Sequence, residues 1–193
     1  MQKTKITAAA LLIVMLILSG CGSAVPQESS ISAGSGDAES AENAPMPDDF
    51  SLCFWWWIDS GRKNFLDTQS GMLQKDLVTD GTASAPFTPG KEFLQTIYRL
   101  VCRCHLSEIE REMTAEILKT DKNSMMITPN TYYLITVTMN GKRYIIRGDE
   151  TARFYAKDNQ DAADFTEAVD RLRTIVSALP AWQELPRANG GYD

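Results

Sequence analysis

Hydrophobic residues follow one another or alternate with polar ones over three stretches of the chain, and each stretch predicts a β-strand. Residues 50–58 are apolar almost throughout, and aromatic residues such as those it contains favour strands. Residues 72–78 and 131–139 alternate, which is typical of strands with one buried face. Asn140-Gly141 then predicts a tight turn into a returning strand at 142–147, because a type I′ turn needs two positive φ angles.

Two other stretches have the 3.6-residue period of amphipathic helices. The first has Thr88 as a candidate N-cap with Pro89 at the first helical position, and the second begins near Asp161 and stops at Pro180. Their apolar faces consist of Phe93, Ile97, Leu100, Val101 and Cys104 in the first, and of Phe165, Val169, Leu172, Ile175, Val176 and Leu179 in the second.

The order of these elements predicts an α+β fold. We expect an antiparallel sheet of about four strands with two main helices packed on one face, since the hairpin turn forces antiparallel neighbours. Residues 62–71, 82–86 and 151–160 are interpreted as turns or loops, and residues 106–127 as a loop with a short helical turn. Trp182 is expected to hold the C-terminal tail against the core.

Three consecutive tryptophans, Trp55, Trp56 and Trp57, lie in the middle of the first strand. Successive side chains of a strand point to opposite faces, so Trp56 shares a face with Phe54 and Ile58. This more apolar face is predicted to be the core. The face with Trp55 and Trp57 is either covered by another element or forms an exposed aromatic patch suited to sugar rings or to a peptide.

The polar segment 62–71 has two interpretations. Asn64 and Asp67 are of the types that hydrogen-bond their own backbone in turns, and Lys63 could form an ion pair with Asp67. A rigid polar connection between strands could instead bind a ligand. The candidate ligand-binding residues are therefore Trp55, Trp57, Lys63, Asn64 and Asp67.

The N-terminus predicts export and lipidation. Lys3 and Lys5 precede the apolar residues 6–18, a run shorter than the roughly 20 residues of a membrane span. Leu18-Ser19-Gly20-Cys21 follows and resembles the lipobox of bacterial lipoproteins, in which the cysteine thiol carries a diacylglycerol and the chain is cleaved before it. The resemblance implies that Cys21 is anchored in membrane lipid. The expected location is the outer face of the cytoplasmic membrane, or the outer membrane or periplasmic side in a cell with two membranes.

Composition divides the chain into three parts. Residues 1–20 are interpreted as the signal peptide, residues 21–48 as a disordered tether rich in Ser, Ala, Gly and acids, and residues 49–193 as one globular domain. Residues 22–49 contain six acidic and no basic side chains, while the whole chain has a formal net charge of −6. The domain is close to neutral, which gives no electrostatic case for a nucleic-acid partner.

Three cysteines, Cys53, Cys102 and Cys104, remain beside the lipobox cysteine. One disulfide can form in an exported chain, and Cys53–Cys104 is the favoured pair because the apolar helix face carries Cys104 inward; unpaired buried thiols are the alternative. Cys102 and Cys104 would diverge on a helix, so together with His105 they do not predict a metal site. No cofactor is indicated.

Two motifs at opposite ends of the domain resemble a family of small exported proteins and lipoproteins from Firmicutes. The first is Lys63-Asn64-x-Leu66-Asp67-Thr68-x-x-Gly71 with Lys75-Asp76-Leu77-Val78, and the second is Leu185-Pro186-x-x-x-Gly190-Gly191-Tyr192. The match would span about residues 50–192. It implies no activity and no functional residues, and both Trp55–Trp57 and Cys102–His105 depart from the family pattern.

Two functions of different classes fit this sequence. The favoured one is a non-catalytic, membrane-anchored module outside the cytoplasm that binds a protein, a peptide or an envelope component, because no catalytic constellation is found. The alternative is an envelope-directed hydrolase that uses carboxylates such as Asp59, Asp67 or Asp76 as acid and base. Two carboxylates about 5–10 Å apart in an aromatic cleft would favour the enzyme, whereas carboxylates held by turn backbone would favour binding.

Overall fold

The computed structural model of the chain describes residues 45–119 and 126–192. They form one antiparallel sheet of six strands in the order β4-β3-β2-β1-β5-β6. The strands are β1 Ser51–Ile58, β2 Asn64–Asp67, β3 Met72–Asp76, β4 Thr82–Pro86, β5 Thr131–Met139 and β6 Lys142–Asp149. The predicted α+β class with an antiparallel sheet is therefore confirmed.

Among the described residues, four α-helices accompany the sheet. They are α1 Lys91–Arg103, α2 Ala115–Leu118, α3 Gln160–Ala178 and α4 Pro180–Gln183, and a 3-10 helix, Glu150–Phe154, links β6 to α3. The long helices α1 and α3 supply most of the helical part of the core. Their buried residues are Ile97, Tyr98, Leu100 and Val101 in α1, and Ala162, Asp164, Phe165, Ala168, Val169, Leu172 and Val176 in α3.

One face of the sheet packs against these helices. On β1 this face carries Leu52, Phe54 and Trp56, which belong to the same buried cluster as the apolar residues of α1 and α3. Trp56 is 8% exposed and its ring lies 4.9 Å from that of Phe54 and 5.5 Å from that of Trp182. The prediction that the Trp56 face is the core, with Trp182 holding the tail against it, is thus confirmed.

The sheet has two more strands than the sequence predicted. β2 and β4 fall in segments that were interpreted as turn and loop, because β2 has turn-forming residues at both ends and β4 is composed of Thr, Ala, Ser, Ala and Pro. Both strands pair with β3, with Leu66 opposite Leu73 and Ala85 opposite Leu73 on its other side, and β2 also pairs with β1. Pairing with a neighbour overrides the weak local preference.

The β5–β6 hairpin forms as predicted. Asn140 and Gly141 have φ angles of 53° and 71°, the two positive values that a type I′ turn needs. The Asp49 carboxylate accepts hydrogen bonds from both turn N–H groups, at 2.8 Å and 2.6 Å. These bonds hold the pKa of Asp49 below its ordinary value. They also attach the first residues of the domain to the tip of the β5–β6 hairpin.

Helix α1 starts later than the sequence predicted. Its N-cap is Gly90 rather than Thr88, since the Phe87 N–H is still engaged with the Gly71 carbonyl at 2.8 Å. At the other end, His105 has a φ of 43°, and the N–H groups of His105 and Leu106 donate to carbonyls of the last helical turn. This is a Schellman cap built on a histidine instead of the usual glycine.

In the described ranges, no helix has the length and apolar character needed to cross a membrane. The signal peptide, the lipidated Cys21 and the tether up to residue 44 were expectations that fall outside the described residues.

Candidate functional site

The sheet face opposite α1 and α3, here called the open face, is the candidate site. Strand register fixes its members, because residues directly opposite one another share a face. Its central members are Cys53, Trp55, Trp57, Phe65, Tyr132, Leu134, Thr136, Arg143, Ile145 and Arg147. Within the described ranges these apolar side chains stand outside the buried core cluster, and Ile145 is 45% exposed.

Trp55 lies at the centre of the open face. It is half-buried between its cross-strand neighbours, Phe65 on β2 and Leu134 on β5, and Arg147 of β6 follows in the same row. Among the described residues its indole stacks on no other aromatic ring. The predicted separation of Trp55 from the core is therefore observed, and its ring is available to a flat apolar ligand surface.

Trp57 has partners on the open face. Its ring stacks on that of Tyr132 with 5.7 Å between centroids, and Lys63 Nζ lies 4.9 Å from its centroid. A cation at this distance is attracted by the ring quadrupole. Lys63 thus covers Trp57, and no ion pair joins it to Asp67 among the described residues.

A small basin lies beside Trp55 at the hairpin end of the open face. It has a volume of about 180 Å³ and is lined by Cys53, Trp55, Asp67 and Arg143, together with hydroxyl and amide groups. The Arg143 guanidinium forms no ion pair with a described residue. An aromatic ring beside an uncommitted guanidinium and several hydrogen-bonding groups suits a polar ligand with a flat face.

Asn64 has a structural role and lies on the other face of β2. Its side-chain oxygen accepts from the Asp76 N–H at 2.9 Å, and its Nδ2 donates to the Trp56 carbonyl at 3.4 Å. Asp67 caps the β2–β3 turn, since its Oδ1 accepts from Gln69 and Ser70 N–H groups. Of these two predicted ligand-binding residues, only Asp67 lines the basin.

The two motifs that carried the resemblance meet in space. The Asp76 N–H donates to the side-chain oxygen of Asn64, and the Asp76 carboxylate accepts from the hydroxyl of Tyr192. Asn189 forms a parallel bridge to Val78, and its N–H donates to the Leu77 carbonyl at 3.1 Å. These contacts, here called the C-terminal clamp, give the motifs a structural explanation that needs no ligand.

Gly61 shows how closely the clamp is packed. A Cβ at this position would come within 2.6 Å of the Tyr192 ring and within 2.7 Å of the Ile58 carbonyl oxygen. Only glycine leaves room for Tyr192 to reach Asp76.

The favoured disulfide is not formed. Cys53 lies on the open face, whereas Cys104 is 1% exposed in the core on the helix side, and both are free thiols in the structure. The predicted pair requires α1 to cover the face of Cys53, but the alternation of β1 turns that face away from the helices. Burial raises the pKa of both thiols to about 12, with Asp67 adding to the shift at Cys53 and Glu167 at Cys104.

His105, the single histidine of the chain, is paired with an acid. Its Nδ1 lies 2.8 Å from Asp164 Oδ2, and Asp164 Oδ1 accepts from Gln160 at 2.7 Å. Within the described ranges, no group of three or more His, Cys, Asp or Glu side chains is arranged to hold a metal ion.

Sequence reasoning missed the cationic part of the site. Arg143 and Arg147 join the open face because β6 pairs with β5, with Arg147 opposite Leu134 and Arg143 opposite Thr138. The hairpin turn, which was correctly predicted, fixes this register. Together with the pairing of β1 and β5, this register places Arg147 in the row of Trp55 and Arg143 in the row of Ser51.

Comparison of the chain with protein-family models finds no match, and comparison with curated proteins finds none either.

Proposed function

We propose that this chain is a lipid-anchored, extracytoplasmic binding module that holds its ligand on the open face of the sheet. The observation that carries the proposal is that the central strands place the core on one face while the other presents Trp55 amid apolar and cationic side chains. An apolar surface of this kind is a usual mark of an interaction site.

The charges of the open face support a partner with acidic groups near the basin. Arg143 and Arg147 are exposed, and neither forms an ion pair with a described residue. Three arginines on the helical side are instead engaged in ion pairs: Arg103 with Glu167, Arg111 with Asp161, and Arg153 with Asp170. Uncommitted cations steer and orient an anionic partner.

The carboxylates named for a hydrolase support binding over catalysis. Asp59 Oδ1 accepts from the Asn130 N–H at 3.2 Å, and Asp67 accepts from two turn N–H groups. Asp76 accepts from the Val78 N–H at 2.9 Å and from Tyr192. Each carboxylate thus shapes a turn, which is the arrangement expected of a binding domain.

The anchor belongs to the same proposal and rests on the lipobox motif. Cys21→Ala should abolish incorporation of labelled fatty acid into the protein in cells. Persistent labelling of this variant would contradict lipidation at Cys21.

The ligand surface is tested by capture from solubilised cell-envelope extract, with the captured material identified by mass spectrometry. Trp55→Ala and Arg143→Ala should each reduce capture of the same ligand. The control is Arg171→Ala, which removes a cation from the helical layer. Capture that is equally reduced by the control, or unchanged by both open-face variants, would contradict the proposal.

A further inference from the structure

The outer side of β6 forms an edge of the sheet that borders the open face. Among the described residues, β6 pairs with β5 on its inner side, and on its outer side the one bridge joins Gly148 to Met113. Residues 142–146 therefore have no strand beside them in this part of the chain, and they are here called the β6 edge. An unpaired edge presents backbone N–H and C=O groups to which another strand can bind.

The contacts of Met113 show which backbone groups point outward. Its N–H donates to the Arg147 carbonyl at 2.8 Å, and its carbonyl accepts from the Asp149 N–H at 3.0 Å. Residues of an antiparallel strand alternate between bonding their partner strand and pointing away from it. Arg143 and Ile145 belong to the same alternate set as Arg147 and Asp149, so their N–H and C=O groups also point outward. Met113 thus bonds to one end of β6 as an added strand would, and the β6 edge offers the same groups further along.

The side chains of the β6 edge favour a partner with an acidic group. Arg143 and Ile145 lie on the open face and are exposed, and Ile145 is among the exposed large apolar residues of the domain. Lys142 is exposed as well, and neither Lys142 nor Arg143 forms an ion pair with a described residue. Opposite charges directly across a strand pair stabilise it, as do apolar pairs.

The expected direction of the added strand is antiparallel, as in every strand pair of the described sheet. The added strand then meets Ile145 first and Arg143 two positions later. The matching sequence is an apolar residue, any residue, and Asp or Glu. Both of its outer side chains extend rows of the open face, since Ile145 lies in the row of Cys53 and Arg143 in the row of Ser51, and both of these line the basin.

A second copy of this chain fits the β6 edge less well than an acidic segment does. Antiparallel pairing of two β6 strands about Ile145 would place Arg143 of each copy opposite Arg147 of the other. Like charges directly opposite one another destabilise a strand pair. Cationic side chains on an edge strand are also a common protection against pairing between copies.

We propose that the β6 edge binds an extended segment of a partner protein, which adds to the described sheet as a further strand antiparallel to β6. The backbone groups of Arg143 and Ile145 supply the hydrogen bonds, and the side chains supply the preference for an apolar residue followed by an acid. The inference rests on the proposed function and adds to it the conformation and the chemistry of the ligand.

Amide hydrogen exchange of the full-length chain, measured by NMR, tests the backbone contacts, with the peptide acetyl-TVTET-amide as the probe. In the free protein, the amides of Arg143 and Ile145 should exchange faster than those of Tyr144 and Ile146, which point towards β5. Peptide at about ten times its Kd should slow exchange at Arg143 and Ile145 about tenfold by mass action. Exchange at these two amides that the bound peptide leaves unchanged would overturn the proposal.

N-methylated peptides separate strand addition from contacts made by side chains alone. In the proposed register the N–H of the peptide Val points towards β6, whereas the N–H of the Thr that follows it points away. Methylation of the Val nitrogen should weaken binding about tenfold or more, because it removes a hydrogen bond, and methylation of that Thr nitrogen is the matched control. Full affinity of the peptide methylated at Val would contradict strand addition.

A charge substitution locates the acidic group of the ligand. Arg143→Gln should weaken binding of acetyl-TVTET-amide about threefold, as expected for an exposed ion pair, and should not weaken binding of acetyl-TVTQT-amide. Arg99→Gln removes an exposed arginine of α1 and should leave both affinities unchanged. Equal losses in the two variants would refute the site. If the peptide does not bind but Trp55→Ala still reduces ligand capture, the open-face proposal stands and only strand addition fails.

Discussion

At the residue scale, three adjacent tryptophans occupy different environments because a strand alternates its faces. Trp56 is in the core between Phe54 and Trp182, Trp57 lies under Lys63, and Trp55 stands half-buried on the open face. Trp56 should therefore contribute most to the free energy of folding, whereas Trp55 should contribute to ligand binding.

Truncation of each tryptophan tests this division. Trp56→Ala should lower the free energy of unfolding by about 3–5 kcal/mol, the usual cost of deleting a buried large aromatic side chain. Trp55→Ala and Trp57→Ala should each cost less, because both side chains are already partly exposed in the folded protein. Urea unfolding of the three variants provides the measurement. Losses of equal size at all three positions would mean that both sheet faces are covered.

The thiols provide a second prediction at this scale. Burial raises the pKa of Cys53 and Cys104 to about 12 from the ordinary value of 9.0, so at pH 8 their thiolate population is about a thousandfold below that of the unfolded chain. Alkylation with iodoacetamide at pH 8, followed by mass spectrometry, should modify both cysteines far more slowly in the folded protein than in urea. Rapid modification of either cysteine in the folded protein would contradict this placement.

The same shift fixes the sign of a pH effect on stability. Between about pH 9 and 12 the unfolded state releases these thiol protons while the folded state retains them. The contribution of the two thiols is therefore fully present below pH 9, and the free energy of unfolding falls as the pH rises through this window.

At the element scale, the C-terminal clamp joins the last residues of the chain to β3. Asp76 is buried, and its carboxylate depends on the Val78 N–H and the Tyr192 hydroxyl. The strands β2 and β3 are short and each places one leucine, Leu66 and Leu73, in the core. A polar contact of this kind therefore has a share in holding this side of the sheet.

Removal of one hydroxyl tests the clamp. Tyr192→Phe should lower the free energy of unfolding by about 1–3 kcal/mol, since it takes a hydrogen bond from a buried carboxylate. Hydrogen exchange should also quicken in β3 before it does in β1 or β5. Tyr155→Phe is the control, because among the described residues the Tyr155 hydroxyl has no hydrogen-bond partner. A Tyr192 variant as stable as this control would show that the clamp contributes nothing.

At the scale of the whole molecule, the long elements could be predicted from their periods and the candidate site only in part. The strands around Trp56 and Tyr133, the Asn140-Gly141 turn and both long helices follow from local patterns. The strands β2 and β4 do not, because their residues favour turns and it is pairing with neighbouring strands, β1 and β3 for β2 and β3 for β4, that makes them strands. The arginines of the open face required the register between β1, β5 and β6, which no single segment of the sequence encodes.

The central claim is that the open face, and not the helical layer, contacts the ligand. Photo-crosslinking tests it most directly, with p-benzoylphenylalanine replacing either Ile145 on the open face or Phe154 on the helical side. The two side chains are closely matched, with exposures of 45% and 48%. In the presence of solubilised envelope extract, we predict adducts from position 145 that disappear when Trp55→Ala is added, and none from position 154. Adducts formed equally from both positions, or only from position 154, would contradict the account.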